Sequence, residues 1–395
     1  MPHRRGSIVI LVALLVATTF VTAHKSATPT NLDPQQLIAH EWGTFTSIAA
    51  PDGSPVQWVP QRGSEDLPCF VQRMRVQIKG WLPGTVRMET PVIYFYAPEN
   101  IAVDVRVRFR EGVVSEWFPK AEVTPATVDA QSFRRPGFES SIAWTGVKVT
   151  PGAPARFTTE SGPNHYYAAR ETDAAPLQVG SETERFLFYR GIGSFVPPIA
   201  ASLTADNTIK VRTQIGQPLG DLIVFESRGG KSAYRIHRGL QKEALLPLPT
   251  AAGTLASLRK DLEQILVSHG LYKKEAAAMV ATWRDSWFEE GSRLFYVVPK
   301  AAIDEVLPLD ITPKPKEVAR VFVGRIELVT PATLQEVKQA LVENDGTTLM
   351  KYGRFLAPIA DRLFEISSFD ERASMKPRLS VAYSGAWLAS APKCN

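Results

Sequence analysis

Cysteine is scarce. The 395 residues hold two, Cys69 in "LPCFV" and Cys394. There is no CxxC, no CxxCH and no paired Cys/His cluster, which excludes a structural zinc module and attached haem. One bridge between the two is permitted in an oxidising compartment, but spacing cannot test its geometry, so bridged and free both stay open. Histidine is sparse too, with six residues and no HxH or HExxH. In "HEWGTF" (40–45), His40 stands beside Glu41, but neighbours on a strand point to opposite faces and do not share one ion without a bend. His269 falls at a helix C-terminus, where an imidazolium suits the dipole. No DxDxDG run exists; calcium needs only carboxylates and carbonyls, so it stays possible in principle while no cofactor is expected.

The usual nucleophile motifs are also missing. No GxSxG occurs, and "GIGSF" lacks the spacing of a nucleophile elbow. "SLRK" (257–260) matches SxxK without its companion motifs, and an apolar-face Leu258 leaves Ser257 and Lys260 toward solvent. "GGKS" (229–232) has Phe225 where a phosphate loop needs glycine. Charge of one sign is lacking as well. Lys+Arg number 45 against 40 Asp+Glu, and two of the basic residues lie in the first 23 positions. The remainder is nearly neutral, which gives a nucleic acid partner no electrostatic footprint. Repeats and low-complexity tracts are absent.

What is present begins with a targeting signal. Arg4 and Arg5 precede the apolar run "IVILVALLVATTFV" (8–21), and "VTA" (21–23) offers small residues for cleavage before His24. The run is shorter than the roughly 20 residues of a spanning helix, so membrane contact is expected only if this segment is retained. The expectation is a periplasmic or secreted protein: signal peptide 1–23, polar lead-in 24–39, and two domains split near 250.

Residues 40–250 read as an antiparallel β-sandwich-like domain. Short strands recur between Pro, Gly and Asn, as in 85–97, 101–109, 139–149, 184–191, 207–215 and 221–227. "IAVDVRVRF" alternates, with Val103, Val105, Val107 and Phe109 on one face and Asp104, Arg106 and Arg108 on the other. A hairpin with a three-residue loop and left-handed Gly112 pairs Arg106 with Glu116 and Val105 with Trp117. "SRGGKS" reads as a second hairpin with a type I′ turn at Gly229-Gly230. From 251 to 395 the period becomes helical. Leu255, Leu258, Leu262, Ile265 and Leu266 mark one helix ending at Gly270. Ala276, Met279, Val280, Trp283 and Trp287 mark a second ending at Gly291, giving an αα-hairpin. Strands 293–299 and 318–329 and helices 333–343 and 349–364, the last broken at Pro358, complete an α+β region. The fold class is mainly β with this α+β region packed on it.

Two polar–aromatic clusters stand out. "NHYYAARETDAAP" (164–176) combines His165, Tyr166, Tyr167, Arg170, Glu171 and Asp173, an inventory suited to a polar substrate, a sugar above all. The bland alternative is an arginine–carboxylate network fixing a loop. "TWRDSWFEEG" (282–291) places Asp285, Glu289 and Glu290 in the last turn of a helix, where the dipole disfavours carboxylates. An arginine from the β-domain, such as Arg170, Arg185, Arg190 or Arg212, offsets that penalty.

Six phrases, "HEWGTFTS" (40–47), "METPVIYFY" (88–96), "SEWFP" (115–119), "ARETDA" (169–174), "FLFYRG" (186–191) and "TWRDSWFEEG", resemble a group of secreted bacterial proteins. The resemblance covers both expected domains. It implies secretion from a bacterium and carries no activity, cofactor or catalytic residue.

The leading expectation is an extracytoplasmic protein that binds a polar ligand, a glycan or a small molecule, at the domain junction. His165, Tyr166, Tyr167, Arg170, Arg190 and Glu290 are its candidate contacts. The alternative is a carbohydrate-active hydrolase or lyase with Glu171, Asp173, Asp285 or Glu289 as acid and base, and whether any reaction occurs stays open. A third alternative is a non-catalytic assembly scaffold, which demands a large exposed apolar patch.

Overall fold

Strand Ile38–Ala49 ("IAHEWGTFTSIA") and strand Val86–Tyr96 ("VRMETPVIYFY") are buried along nearly their whole length. Only the centre of a sheet covered on both sides offers that environment. In the computed structural model, which describes residues 36–59, 67–76, 82–162, 164–250 and 253–389, they are neighbours in a nine-stranded sheet. The expected signal segment, most of the expected lead-in and Cys394 lie outside the described residues. From edge to edge the sheet runs Lys231–His237, Leu222–Arg228, Gly291–Val298, Glu317–Leu328, Ile38–Ala49, Val86–Tyr96, Leu187–Gly193, Gly112–Phe118 and Gln72–Arg73. Ile38–Ala49 pairs parallel with Glu317–Leu328 and antiparallel with Val86–Tyr96.

One face of this sheet packs on a second, mostly antiparallel sheet built around Ile101–Arg110 and Glu139–Val149. Val103, Val105, Val107 and Phe109 point into the shared core with Trp144, Tyr189 and Phe322, as the alternation of "IAVDVRVRF" requires. The other face carries an αα-hairpin. After the one-turn helix α1 (Ala130–Phe133), helices α2 (Leu255–Ser268) and α3 (Lys273–Trp287) bury Leu258, Leu262, Met279, Trp283 and Trp287 against Trp42, Phe225 and Phe295. Helix α4 (Lys300–Val306) seals one end of the sandwich through Ile303 and Leu307. Helices α5 (Pro331–Glu343), α6 (Gly346–Lys351), α7 (Leu356–Ile366) and α8 (Phe369–Ala389) enclose a third cluster around Trp58, Phe355 and Ile359. The chain is mainly β, with a sandwich of antiparallel strands and helices gathered in the C-terminal part.

Several details differ from expectation. Ile101–Arg110 and Gly112–Phe118 do not form a hairpin. The first belongs to the sandwiching sheet and the second to the nine-stranded one. Between them Glu111, rather than Gly112, takes the left-handed conformation at φ 51°. A register argument from charge pairs fails here because Gly112–Phe118 is buried along nearly its whole length within the nine-stranded sheet, while Ile101–Arg110 alternates and keeps its charged face toward water. In the sheet Glu116 stands opposite Arg190 on Leu187–Gly193 and Arg73 on Gln72–Arg73. The Gly229-Gly230 turn is as expected, with φ of 58° and 76° and Arg228 facing Lys231. The nine-stranded sheet is built from strands on both sides of residue 250. Gly291–Val298 and Glu317–Leu328 lie between Leu222–Arg228 and Ile38–Ala49, and Pro34–Asn395 forms one compact unit.

Candidate functional site

The acidic end of α3 meets the sheet. Arg325 stands in "FVGRIELV" on Glu317–Leu328, and Arg293 on Gly291–Val298; both are wholly buried. Arg325 donates to the Glu289 carboxylate at 2.7 Å and to the Ser286 carbonyl at 2.8 Å. Arg293 donates to the backbone oxygens of Trp287, Glu289 and Glu290 at 2.8, 2.7 and 2.6 Å. The helix C-terminus is thereby capped by guanidinium groups, which satisfies its orphan carbonyls and reverses the local field. Glu327 neutralises both arginines, at 3.0 Å from Arg293 and 3.2 Å from Arg325. Arg354 joins them, reaching Ser286 at 2.9 Å and Glu89 at 2.7 Å.

The arginine partner is therefore present, but it comes from neither Arg170, Arg185, Arg190 nor Arg212. Arg190 donates to Thr90, and Arg170 is held elsewhere. Arg293 and Arg325 were legible only as charges beside apolar residues within strand sequences. Glu290 accepts from the Gly229 backbone at 2.8 Å, and exposed Asp285 pairs with its neighbour Arg284 and with no other basic residue among the described ones.

The 164–173 cluster lies at the opposite end of α3. Asn164 caps the 3-10 turn His165–Arg170 through the Tyr166 N–H. Arg170 grips buried Glu184 through Nε at 2.9 Å and Nη2 at 2.6 Å, and also donates to the Thr158 carbonyl at 2.7 Å. Tyr166 donates to the same carboxylate, and the guanidinium lies over the Tyr167 ring at 4.7 Å. Burial pushes the Glu184 carboxyl above its ordinary range, with Arg170 pulling the other way. This is the loop-fixing arginine network. Asp173 is exposed and held by Lys274 at 2.5 Å in the first turn of α3.

Beside that network opens a pocket of about 430 Å³ lined by Phe157, Arg170, Glu171, Thr172, Arg185 and Lys274. Arg185 donates Nη1 to the Ala174 carbonyl and lies over Phe157 at 5.3 Å, while its Nε has no partner. Five of the six wall residues come from before residue 250 and Lys274 from after it. Its helical wall is the start of α3, with the acidic tip about 20 Å away at 1.5 Å per residue. Structure thus separates Glu171 and Asp173 from Asp285 and Glu289; Arg170 lines the pocket, and Tyr166 and Tyr167 pack against Arg170 without lining it.

A third constellation escaped the sequence reading. His40, wholly buried, contacts Glu275 through Nδ1 at 2.8 Å. Tyr96 donates its hydroxyl and Tyr272 its backbone N–H to the same carboxylate, at 2.8 and 2.7 Å. A carboxylate that orients an imidazole is the arrangement of a catalytic base, yet here the Tyr272 ring covers His40 at 4.4 Å. The group acts as a strut joining the first strand to α3. On the opposite face, Glu41 bonds Arg320 and Tyr189, as strand alternation demands. His269 does cap α2, but partial desolvation near Gly220 lowers its pKa against the pull of Asp221, opposite to the shift a helix C-terminus favours. Among the described residues, no group of three or more His, Cys, Asp or Glu is arranged to hold a metal ion. Cys69 is disulfide-bonded.

No family model matches the chain, and no curated protein matches it in sequence. Among solved structures it is similar to the Fcho1 Mu homology domain of Danio rerio with bound Eps15 peptide, at 6% identity and a TM-score of 0.28. That match covers 74% of this chain and 96% of the other. A score of that size does not establish a shared fold.

Proposed function

We propose that this protein works outside the cytoplasm and binds a polar ligand, a saccharide unit of a glycan, in the pocket between residues 157–185 and the start of α3. The observation that carries the reading is the cavity itself, which gathers the Arg170 and Arg185 guanidiniums, the Lys274 ammonium and the exposed Glu171 carboxylate beside the Phe157 ring. Its volume falls within the roughly 300–1,000 Å³ of small-ligand sites. Planar donors and acceptors beside an aromatic ring suit vicinal hydroxyls. Binding is favoured over hydrolysis because a glycosidase needs two carboxyls about 5–10 Å apart across one cleft. Asp173 is tied to Lys274, and Glu289 to Arg325 at the far end of the helix.

Calorimetric titration with neutral and acidic oligosaccharides tests this. Wild type binds at least one class, and Arg185→Gln or Glu171→Gln weakens that binding about tenfold or more without altering the circular dichroism spectrum. Wild type that binds no saccharide at millimolar concentration overturns the proposal. Secretion is checked separately, by intact mass of the exported protein, which should begin at His24.

A further inference from the structure

A second cavity, of about 510 Å³, opens at the end of the sandwich where α4 meets the strands. Its floor is apolar. Phe45, Phe195 and Val298 are each at least 94% buried, and Phe45 and Phe195 meet edge to face at 5.4 Å. Its lip leaves large apolar groups in water, with Val196 64% and Ile215 36% exposed.

The charged residues around the mouth are one base and three acids. Arg110 and Glu139 approach to 3.9 Å and compensate one another. Glu111 and Glu305 have no basic partner among the described residues. Glu111 is also held in place by the backbone. Its N–H donates to the Phe138 carbonyl and its own carbonyl accepts from Ser194, while the residue sits at φ 51°. The corner that breaks the expected hairpin thus presents a carboxylate at the rim of an apolar hole.

We infer that this cavity binds a cationic amphiphile, with its apolar body on Phe45, Phe195 and Val298 and its ammonium or amidinium head between Glu111 and Glu305. A neutral apolar ligand would forgo the attraction of two uncompensated carboxylates, and an anionic one would be repelled by them. The inference is independent of the saccharide pocket, which lies at the start of α3.

The full-length protein is titrated calorimetrically with three probes sharing one chain, decyltrimethylammonium, decyl maltoside and decyl sulfate, each below its micelle concentration. Saturable 1:1 binding of the cationic probe is expected, about tenfold or more tighter than the neutral probe, with the anionic probe weakest. Glu111→Gln with Glu305→Gln should remove that tenfold preference and leave the neutral probe unchanged; both side chains are exposed, so packing is undisturbed. Val306→Trp, which fills the cavity, should abolish binding of all three. Equal affinity for the three probes, an unchanged preference in the double variant, or no saturable binding overturns the inference.

Discussion

Glu327 is the acid on which two buried cations depend. Arg293 and Arg325 are wholly enclosed, and each touches its carboxylate. Removing one partner of a buried ion pair strands the other, so Glu327→Ala should destabilise the protein by about 3–5 kcal/mol in urea denaturation. Glycine positions carry steric information of the same grain. A Cβ on Gly191 would lie 2.5 Å from Phe109 and 2.6 Å from the Val113 backbone oxygen, which cannot move aside. Gly191→Ala should therefore cost about 1–3 kcal/mol. Glu371 supplies a pH test. Hydrogen bonds from Lys338 and Ser368 pull its carboxyl down to about 2. A depressed acid contributes stability above its unfolded value of 4.5, and loses it as pH falls from there toward 2. Glu371→Gln should remove that acid-side slope; an unchanged pH profile would show that the interaction does not hold in solution.

At the scale of elements, α3 is the member that organises both ends of the helical layer. Its apolar positions recur at three and four residues and bury Ala276, Met279, Val280, Trp283 and Trp287 on the sheet. Its first turn is pinned by Glu275 to His40 and Tyr96, its last turn by Arg293 and Arg325. Trp283→Ala should cost about 3–5 kcal/mol through the cavity it leaves. The amphipathic stripe made this helix legible. Its electrostatic partners were not, because Arg293 and Arg325 follow it in the chain and reach it only after their strands enter the sheet. The same holds for His40 and Glu275, 235 residues apart, which no local pattern connects. Strands of clean alternation were legible in the same way, whereas the Arg106–Glu116 hairpin was misjudged, because a turn sequence does not say whether the chain pairs with itself or passes to a second sheet.

For the whole molecule the expected division near residue 250 has a direct test. Two strands from after it stand side by side between strands from before it in the nine-stranded sheet. A fragment ending at 250 lacks both strands between Leu222–Arg228 and Ile38–Ala49, and it uncovers Trp42, Ile223 and Phe225. Such a fragment should show no cooperative thermal transition, monitored by circular dichroism; an independently folded fragment would support a division into two domains near 250.

Local chemistry was enough to establish the mainly β character, the αα-hairpin, the Gly-Gly turn and the opposed faces of His40 and Glu41, because side-chain periodicity and turn preferences act over a few residues. Which cations meet which acids, which sheet each strand enters, and where Arg185 and Glu111 open onto cavities depended on contacts between distant segments. Those contacts are chosen by burial of apolar surface across the entire chain, and a pattern of nearest neighbours does not contain them.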